Sequence, residues 1–397
     1  MITVQEAQAR CLDLVRPLAE DMVPLAQAVG RVLARHVVAS RAQPPFAASA
    51  MDGYAVRTQD CTPGATLRII GEAPAGHAWA GQLGAGEAVR IFTGAPLPDG
   101  ADRVIIQEDV IRSAGTITLG FSLDDNINIR PQGADFAAEF ALTAPRRLAA
   151  SEVALLAAMN VAVLPVARQP VVALIATGDE LVMPGDDPRP DQIIASNIFA
   201  LKAMIEAAGG IARVLPIARD NDASLMTVFD LAMGADLIVS IGGASVGDHD
   251  LVAQVAARFG LTQSFYKIAM RPGKPLIAGH FEDGTAYLGL PGNPVSAIVC
   301  GHLFLLPMIR AMQGLPDALP PIVQARLTDA VPENGPRAHY MRAKLSEDMA
   351  GRSVTAFDRQ DSSLLTVLSE ANALLIRPPG DAARPAGTVV DVVPLAG

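Results

Sequence analysis

The sequence predicts a multidomain protein of the α/β plus β class, with a helical unit, a β-rich insert, an α/β unit and a C-terminal β unit. At 397 residues the chain is too long to fold around a single hydrophobic core, because domains usually span about 100 to 200 residues. The period of the apolar residues changes repeatedly between helix-like and strand-like along the chain. Half of the residues are hydrophobic and only 18% are charged, with 34 Gly and 30 Pro, which is typical of compact units joined by tight turns.

The N-terminal region has the pattern of a helical unit that is interrupted by strands. Helical periodicity runs from residue 3 to residue 38 and returns at Ser151, the expected N-cap of a helix through Met159. Between them, turn residues separate β-branched runs at residues 88–92, 103–107 and 116–119. We therefore expect a discontinuous helical domain, residues 1–48 and 134–168, with a β-rich insert at residues 49–133.

Residues 169–318 alternate strand and helix signals, which predicts a parallel sheet covered on both faces. The expected strands are residues 171–176, 213–218, 236–241 and 286–290. A helix at residues 198–208 should stop at Gly209-Gly210, and Asp222 should cap the next one. The apolar stretch at residues 295–309 is too short for a bilayer and predicts a buried helix.

Residues 319–397 return to a strand pattern, which predicts a small C-terminal barrel or sandwich. The expected strands are residues 321–327, 339–345, 353–356 and 388–393.

Charge and cysteine content exclude several classes of protein. Acidic residues outnumber basic ones by 41 to 31 and no Lys/Arg run occurs, which disfavours nucleic-acid binding. Three distant cysteines form neither a disulfide framework nor a metal-ligand motif, which indicates a reducing compartment. Residues 1–10 lack the features of a signal peptide, so we expect a cytoplasmic protein without a membrane partner.

Loops directly after the predicted parallel strands are the first places to look for a site, because α/β sheets bind ligands there. These loops are TGDE at residues 177–180, GGASVGD at 242–248 and PGNP at 291–294. The glycines of the middle loop would let backbone N–H groups approach a phosphate or a pterin, although such loops also serve as simple turns. Asn293 can cap a helix that begins at Pro294, so Asn293 and Ser296 are candidates for binding an oxyanion, unless the cap is purely structural.

Charged residues cluster in the same region. Glu180, Asp220, Asp248 and Asp250 follow strands, and converging carboxylates would hold Mg²⁺ against a phosphoanhydride, whereas single ones are ordinary turn residues. Three cations lie close together at Lys267, Arg271 and Lys274, which favours an anionic ligand over a solvated basic loop.

Six motifs in one order resemble those of the molybdopterin molybdenumtransferases, the family of bacterial MoeA and the C-terminal domain of gephyrin. They are SAMDGYAV (49–56), TGAP (93–96), TGDE (177–180), GGASVG (242–247), RPGKP (271–275) and PGNPVS (291–296). The resemblance covers nearly the whole chain. It implies an elongated helical domain I (1–48 and 134–168), a β-rich insert domain II (49–133), a molybdopterin-binding doubly wound α/β domain III (169–318) and a C-terminal β-barrel domain IV (319–397).

The resemblance also implies the reaction and the assembly. The family inserts molybdate into adenylylated molybdopterin with release of AMP, the last common step of molybdenum cofactor biosynthesis. Its members are homodimers whose site lies between domain III of one subunit and domain II of the other, and other proteins of this biosynthesis are candidate partners. Molybdopterin adenylate and molybdate are the implied substrates, and Mg²⁺ is the implied cofactor.

Site residues carry over by motif. The implied catalytic residues are Asp52, Thr93, Glu180, Asp220, Asp250, Lys267 and Arg271, of which Glu180, Asp220 and Asp250 would bind Mg²⁺. The implied substrate-binding residues are Gly242, Gly243, Ser245, Gly247, Lys274, Pro291, Gly292, Asn293, Ser296, Arg342, Ser362 and Ser363. The chain departs from many relatives at Ala47-Ala48, where they have an acidic-amide pair, and at Arg271, which is often Lys.

Two other functions are compatible with parts of the pattern. The α/β unit alone fits a pterin adenylyltransferase or a nucleotide-processing hydrolase. The β-rich insert and its Asp52 motif argue against both of these functions. A non-catalytic scaffold is the other alternative, and the retained acids argue against it.

Overall fold

The computed structural model describes residues 1–243 and 251–395. The chain begins with helix α1 (Val4–Asp13), whose first turn is closed by a capping box between Thr3 and Glu6. Three strands follow: β1 (Glu20–Pro24), β2 (Val32–Leu33) and β3 (Val37–Val38). The prediction of helical structure as far as residue 38 was therefore wrong beyond Asp13, except for one 3-10 turn at Leu25–Gln27.

The insert is β-rich, as predicted, with two short 3-10 turns at Thr58–Asp60 and Gln107–Asp109. Its strands are β4 (Ala48–Ser49), β5 (Gly53–Val56), β6 (Thr66–Ala73), β7 (Glu87–Ile91), β8 (Arg103–Ile106), β9 (Val110–Ser113), β10 (Thr116–Leu119) and β11 (Ile129–Arg130). Six of them form one sheet in the order β8-β5-β7-β6-β10-β9, and β11 pairs with β4. Tyr54 and Val56 face one apolar cluster while Ala55 faces another, so both faces of the sheet are buried.

The chain then returns to its N-terminal strands. The next elements are β12 (Ala141–Leu142), β13 (Arg146–Arg147), α2 (Ala150–Ala158) and β14 (Val163–Ala167). They complete a four-stranded sheet in the order β1-β14-β2-β13, and β12 pairs with β3. Helix α2 begins one residue before Ser151: Ala149 is the N-cap, and its N–H donates to Glu152 Oε2 at 3.1 Å.

Residues 169–318 contain the α/β unit. Its elements are β15 (Val171–Ala176), β16 (Leu181–Val182), β17 (Ile193–Ile194), α3 (Asn197–Ala207), β18 (Ile211–Val214), α4 (Asp222–Ala232), β19 (Leu237–Ile241), α5 (Leu251–Arg258), β20 (Thr262–Tyr266), β21 (Met270–Arg271), β22 (Ile277–His280), β23 (Ala286–Leu290), α6 (Pro294–Cys300) and α7 (Leu306–Met312). The main sheet has the order β18-β15-β19-β23-β22-β20.

Only the first four strands of this sheet are parallel. Strands β22 and β20 run antiparallel to their neighbours, which corrects the prediction of a parallel sheet. The physical reason is that no helix separates β20 from β22, so the chain returns without the crossover that parallel strands require.

Apolar side chains cover both faces of the sheet, as predicted. Leu174 lies in a cluster with residues of α1, α3, α6 and α7, whereas Ala173 and Ile175 pack against α4 and α5. A π-helical turn, Gly301–Leu305, joins α6 to α7. The resulting helix, Pro294–Met312, is long and apolar enough to cross a membrane, but 78% of that stretch is buried inside the protein, which confirms the predicted buried helix.

Two helix ends differ in detail from the predictions. Helix α3 does stop before Gly209, which has a φ of +87°. The cap of α4 is Asn221, whose side chain accepts the Ser224 N–H at 3.0 Å, and Asp222 is the first helical residue instead. The strand predicted at residues 213–218 is β18, which ends at Val214.

The C-terminal unit is a closed barrel. Its elements are β24 (Val323–Leu327), β25 (Ala338–Asp348), β26 (Gly351–Ala356), α8 (Leu365–Glu370), β27 (Ala373–Arg377) and β28 (Val389–Pro394). The strands pair in the order β25-β26-β24-β28-β27, and β27 pairs back with β25 to close the ring. Strand β21 of the preceding unit adds to the outer edge of β25, which ties the barrel to the α/β unit.

Candidate active site

A cavity of about 870 Å³ lies along the edge of the main sheet where β15, β19 and β23 end. Thr177 N–H donates to Ile241 O and Gly242 N–H donates to Leu290 O, both at 3.1 Å, so the three strand-end loops are bonded to one another. The described loops that were predicted to carry the site therefore border one cavity.

At two positions along this edge only glycine fits, because neighbouring atoms of the protein leave no room for a Cβ. Gly242 has a φ of +92°, and a Cβ there would lie 2.9 Å from Thr177 O. Gly243 has a φ of +66°, and its Cβ would lie 2.2 Å from Val252 Cγ2. Both line the cavity, so a bound group can approach their backbone without meeting a side chain.

Acidic side chains form one end of the cavity. Glu180 and Asp220 both line it. Burial, together with the nearby charges of Asp179 and Glu180, raises the pKa of Asp220. Asp179 also accepts the Asp220 N–H at 3.2 Å, so it belongs to this acidic group although the sequence motifs gave it no role.

The loop that carries Glu180 is held in place by two further residues. Gly178 has a φ of +146°, and a Cβ there would lie 2.4 Å from Glu180 Oε2, because the carboxylate folds back over this glycine. Arg219 donates from Nη1 to the carbonyls of Asp179 and Leu181 at 3.0 and 3.2 Å. Sequence reasoning missed Arg219, since its contacts are with backbone atoms and leave no motif.

Basic side chains form the other end. Lys267 and Lys274 line the cavity. Their loop folds on itself, because Lys267 N–H donates to Leu276 O and Ile268 N–H donates to Lys274 O, each at 3.1 Å. Since β22 is antiparallel to β23, Lys274 precedes it at the same sheet edge as the acids.

The loop after β23 differs from the prediction. Helix α6 does begin at Pro294 after Asn293, but the Asn293 side chain makes no capping bond and donates instead to Ser362 Oγ at 3.2 Å. Val295 N–H donates to Ser362 O, so this part of the helix start contacts the barrel unit. Ser296 is buried in α6 and does not line the cavity, whereas Pro291, Gly292 and Asn293 do.

A second group of cations lies where the barrel meets the α/β unit. Arg342 is fully buried, and its Nη2 donates to Asp361 O at 2.9 Å, but its Nε and Nη1 have no partner. Burial and the nearby Arg271 lower the pKa of Arg342 to about 10. Asp361 also accepts the Ser363 N–H and hydroxyl at 2.8 and 2.6 Å, so one acid that the motifs did not mark orients two predicted substrate contacts.

Asp52 and Thr93 lie together in the insert. Thr93 donates to Asp52 Oδ1 from both its N–H and its hydroxyl, at 2.7 and 2.8 Å. These two bonds lower the pKa of Asp52, with a smaller contribution from Arg90. Neither residue lines the cavity of its own chain.

The predicted site residues thus fall into three groups. Those that line the cavity are Glu180, Asp220, Gly242, Gly243, Lys267, Lys274, Pro291, Gly292, Asn293 and Ser363. Those that lie elsewhere are Asp52, Thr93, Arg271, Ser296, Arg342 and Ser362. Ser245, Gly247 and Asp250, with the neighbouring Asp248, lie outside the described residues. Among the described residues no three His, Cys, Asp or Glu side chains converge as a metal site.

Three models of known protein families match successive parts of the chain. Residues 2–160 match the MoeA N-terminal region (domain I and II), residues 173–311 match a probable molybdopterin binding domain, and residues 324–395 match the MoeA C-terminal region (domain IV).

Relatives match over almost their whole length. A molybdopterin molybdenumtransferase of Nostoc sp. is 35% identical over 94% of this chain and 88% of its own. Molybdopterin molybdenumtransferase 2 of Mycobacterium tuberculosis is 35% identical over 99% of both chains. The crystal structure of a molybdopterin biosynthesis MoeA protein from Pyrococcus horikosii superposes with a TM-score of 0.85, at 30% identity and full coverage of both chains. This chain therefore belongs to the molybdopterin molybdenumtransferase family.

Proposed function

We propose that the protein transfers molybdenum from molybdate to molybdopterin, which it receives as the adenylate, and releases AMP. The names of its relatives support the transfer of molybdenum to molybdopterin. The observation that carries the proposal is the cavity itself, which is lined by two carboxylates beside β15 and β18 and by two lysines beside β20 and β22, at the other side of the same sheet. Such a site suits an elongated substrate with an anionic centre that reacts with a second anion.

The lysine end would bring the two anions together. Molybdate is a dianion and the adenylate is already negative, so fixed cations must offset their repulsion. Lys267 and Lys274 line this end with Ser363, and the unpartnered Nε and Nη1 of the buried Arg342 are donors for an oxyanion near the barrel. Arg271 adds charge beside Arg342, which the lowered pKa of Arg342 reflects.

The acid end would hold Mg²⁺. Glu180 and Asp220 offer the hard oxygen ligands that this ion prefers. Burial raises the pKa of Asp220 most, and the charges of Asp179 and Glu180, which a cation would offset, raise it further. Asp250 is the third ligand of this proposal. When bound, Mg²⁺ would neutralise charge on the phosphoanhydride as it is cleaved.

The protein would leave the coordination of molybdenum to the dithiolene sulfurs of its substrate. The chain has three cysteines, and burial raises the pKa of each: to about 12 for Cys11, and also upward for Cys61 and Cys300. A buried neutral thiol is a poor ligand, because metals bind the thiolate.

The proposal includes a cytoplasmic homodimer in which Asp52 and Thr93 of one subunit reach the cavity of the other. Their mutual hydrogen bonds make a preorganised carboxylate that has no role in its own chain's cavity. We retain the four domains as proposed units: residues 1–48 with 134–168, 49–133, 169–318 and 319–397. Other proteins of molybdenum cofactor biosynthesis are the proposed partners for substrate delivery and product transfer.

The decisive experiment follows AMP release from adenylylated molybdopterin in the presence of Mg²⁺, with and without molybdate. We expect release to be stimulated by molybdate and abolished by Glu180→Ala. ATP-dependent adenylylation of the pterin without molybdate-dependent AMP release would contradict the proposal and favour an adenylyltransferase. If molybdenum cofactor assembly is unaffected in a variant that carries both Asp52→Ala and Glu180→Ala, a non-catalytic scaffold would be favoured instead.

A further inference from the structure

Arg90, on β7 of the insert, lies over two aromatic rings. Its Cζ is 5.0 Å from the centre of the Tyr54 ring and 4.8 Å from the centre of the Phe92 ring. Tyr54 is buried and lies opposite Arg90 on β5. A guanidinium group is attracted to the faces of aromatic rings, so these two contacts hold the group in place on one face of the sheet.

From this position Arg90 holds the backbone that carries Asp52. Its Nη1 donates to Gly53 O at 3.2 Å, and its Nη2 donates to Gln107 Oε1 at 2.7 Å. Gln107 N–H in turn donates to Asp52 O at 3.1 Å. Two successive carbonyls, those of Asp52 and Gly53, are therefore tied to one guanidinium group, the first through Gln107 and the second directly.

Arg90 also joins the two strands that bring Asp52 and Thr93 together. Asp52 directly precedes β5, and Thr93 follows β7 by two residues. The two strands are antiparallel, and Arg90 of β7 bonds to the first residue of β5. The distance between the Asp52 carboxylate and its Thr93 donors therefore depends on a strand contact to which Arg90 contributes.

The contacts of Arg90 indicate that its geometry matters more than its charge. Among the residues that the structure describes, Arg90 forms no ion pair, although Glu72 lies opposite it in register on β6. The two Thr93 hydrogen bonds lower the pKa of Asp52 most, and the charge of Arg90 contributes less. Arg90 therefore acts on Asp52 chiefly through hydrogen bonds to the neighbouring backbone.

We propose that Arg90 is a positioning residue, which keeps the Asp52 carboxylate in one orientation for the cavity of the partner subunit. The inference rests on the proposed function, and Arg90 lies outside the six motifs. Lysine could not replace it, because an ammonium group is a point charge without the planar fork of donors that reaches two acceptors.

A double-mutant cycle tests this role. AMP release is followed in a single turnover, with the full-length protein in excess over the adenylate and with molybdate present. Arg90→Gln should lower the rate about 10- to 100-fold, because the Asp52 carboxylate loses its fixed position. In the Asp52→Asn background the same substitution should cost less than about 2-fold, because the carboxylate that Arg90 positions is already absent.

Steady-state kinetics give a second readout. Arg90→Gln should lower kcat and leave KM for the adenylate unchanged, because Arg90 contacts the protein and not the substrate. Arg90→Lys retains the charge but should not restore kcat. If denaturant unfolding shows that Arg90→Gln does not fold, Arg90→Lys carries the same comparison in both backgrounds.

Arg68→Gln is the matched control in the same sheet. Arg68 lies on β6, and its Nη2 donates to Glu87 Oε1 at 2.6 Å. Glu87 begins β7, whereas Thr93 follows the end of that strand, so this ion pair is remote from Asp52. Surface ion pairs contribute little to stability, so Arg68→Gln should keep both its activity and its denaturant midpoint.

Four results would overturn the role of Arg90. The first is an Arg90→Gln protein that is as active as Arg68→Gln. The second is an equal loss of rate in the native and Asp52→Asn backgrounds, which would mean that Arg90 does not act through Asp52. The third is native kcat in Arg90→Lys, which would mean that only the charge is needed. The fourth is a raised KM with unchanged kcat, which would make Arg90 a substrate contact.

Failure of this inference differs from failure of the proposed function. Absence of molybdate-dependent AMP release by the unmodified protein would contradict the proposed function, whereas an equal loss in both backgrounds contradicts only the role of Arg90.

Discussion

Gly178→Ala is a sharp test of the acidic end, because it moves a carboxylate without removing it. The new Cβ would lie 2.4 Å from Glu180 Oε2, so the carboxylate must retreat by about 1 Å to reach an ordinary contact of 3.4 Å. Misplacement of a reacting group by about 1 Å can cost about 100-fold in rate. We therefore expect kcat/KM for molybdate-dependent AMP release to fall by about 100-fold.

The substitution also strains the backbone, and this part of the effect needs its own control. A side chain at a φ of +146° costs about 1–3 kcal/mol of stability. Gly185→Ala is the matched variant, because Gly185 has a φ of +96° in the same region of the chain but no atom within 4 Å of the new Cβ. It should lose stability similarly while it keeps its activity.

Denaturant unfolding and steady-state AMP release, measured on both variants, separate the two effects. A Gly178→Ala protein that is folded and as active as Gly185→Ala would refute the reasoning, since the position of the Glu180 carboxylate would then not matter to the reaction.

Three further predictions follow from the site. Equal mixing of refolded Asp52→Ala and Glu180→Ala subunits, each inactive alone, should restore about one quarter of the native AMP release, because about half of the dimers then have one intact shared site; no recovery would contradict sharing. Asp179→Asn removes a charge that raises the pKa of Asp220, so the acidic limb of the pH–rate profile should shift to lower pH, and an unshifted limb would exclude Asp220 as the titrating group. Arg342→Met should weaken molybdate binding by about 10- to 100-fold in calorimetry and raise the melting temperature of the ligand-free protein, because it removes buried donors without partners; unchanged affinity would exclude Arg342 as a contact.

The strands of the α/β unit were predictable where both faces are buried. Strands β15 and β23 have the bounds that the sequence indicated, since continuous apolar runs flanked by turn residues leave little choice. Strands β1 to β3 were not predictable, because β1 pairs with β14 at the far side of the insert. Local periodicity carries no information about a partner that is more than 100 residues away.

The site was predictable to the extent that it follows the ends of strands. Glu180 and Asp220 were found in this way, whereas Lys267 and Lys274 were found as a cluster of cations in an acidic chain, and the structure has all four in one cavity. Arg219 and Asp361 were missed because they act on backbone atoms and on neighbouring side chains. Such positioning contacts depend on the fold, so they produce no motif with a recognisable spacing in the sequence.

Helix α1 has a consequence for how the chain is made. Its buried face, Val4, Ala7 and Cys11, packs against apolar side chains from strands and helices of the α/β unit, and Ala269 N–H donates to Ile2 O beside the lysine loop. A ribosome completes this helix more than 250 residues before it synthesises Ala269. Helix α1 must therefore wait, with its apolar stripe exposed, for contacts that the chain supplies more than 250 residues later.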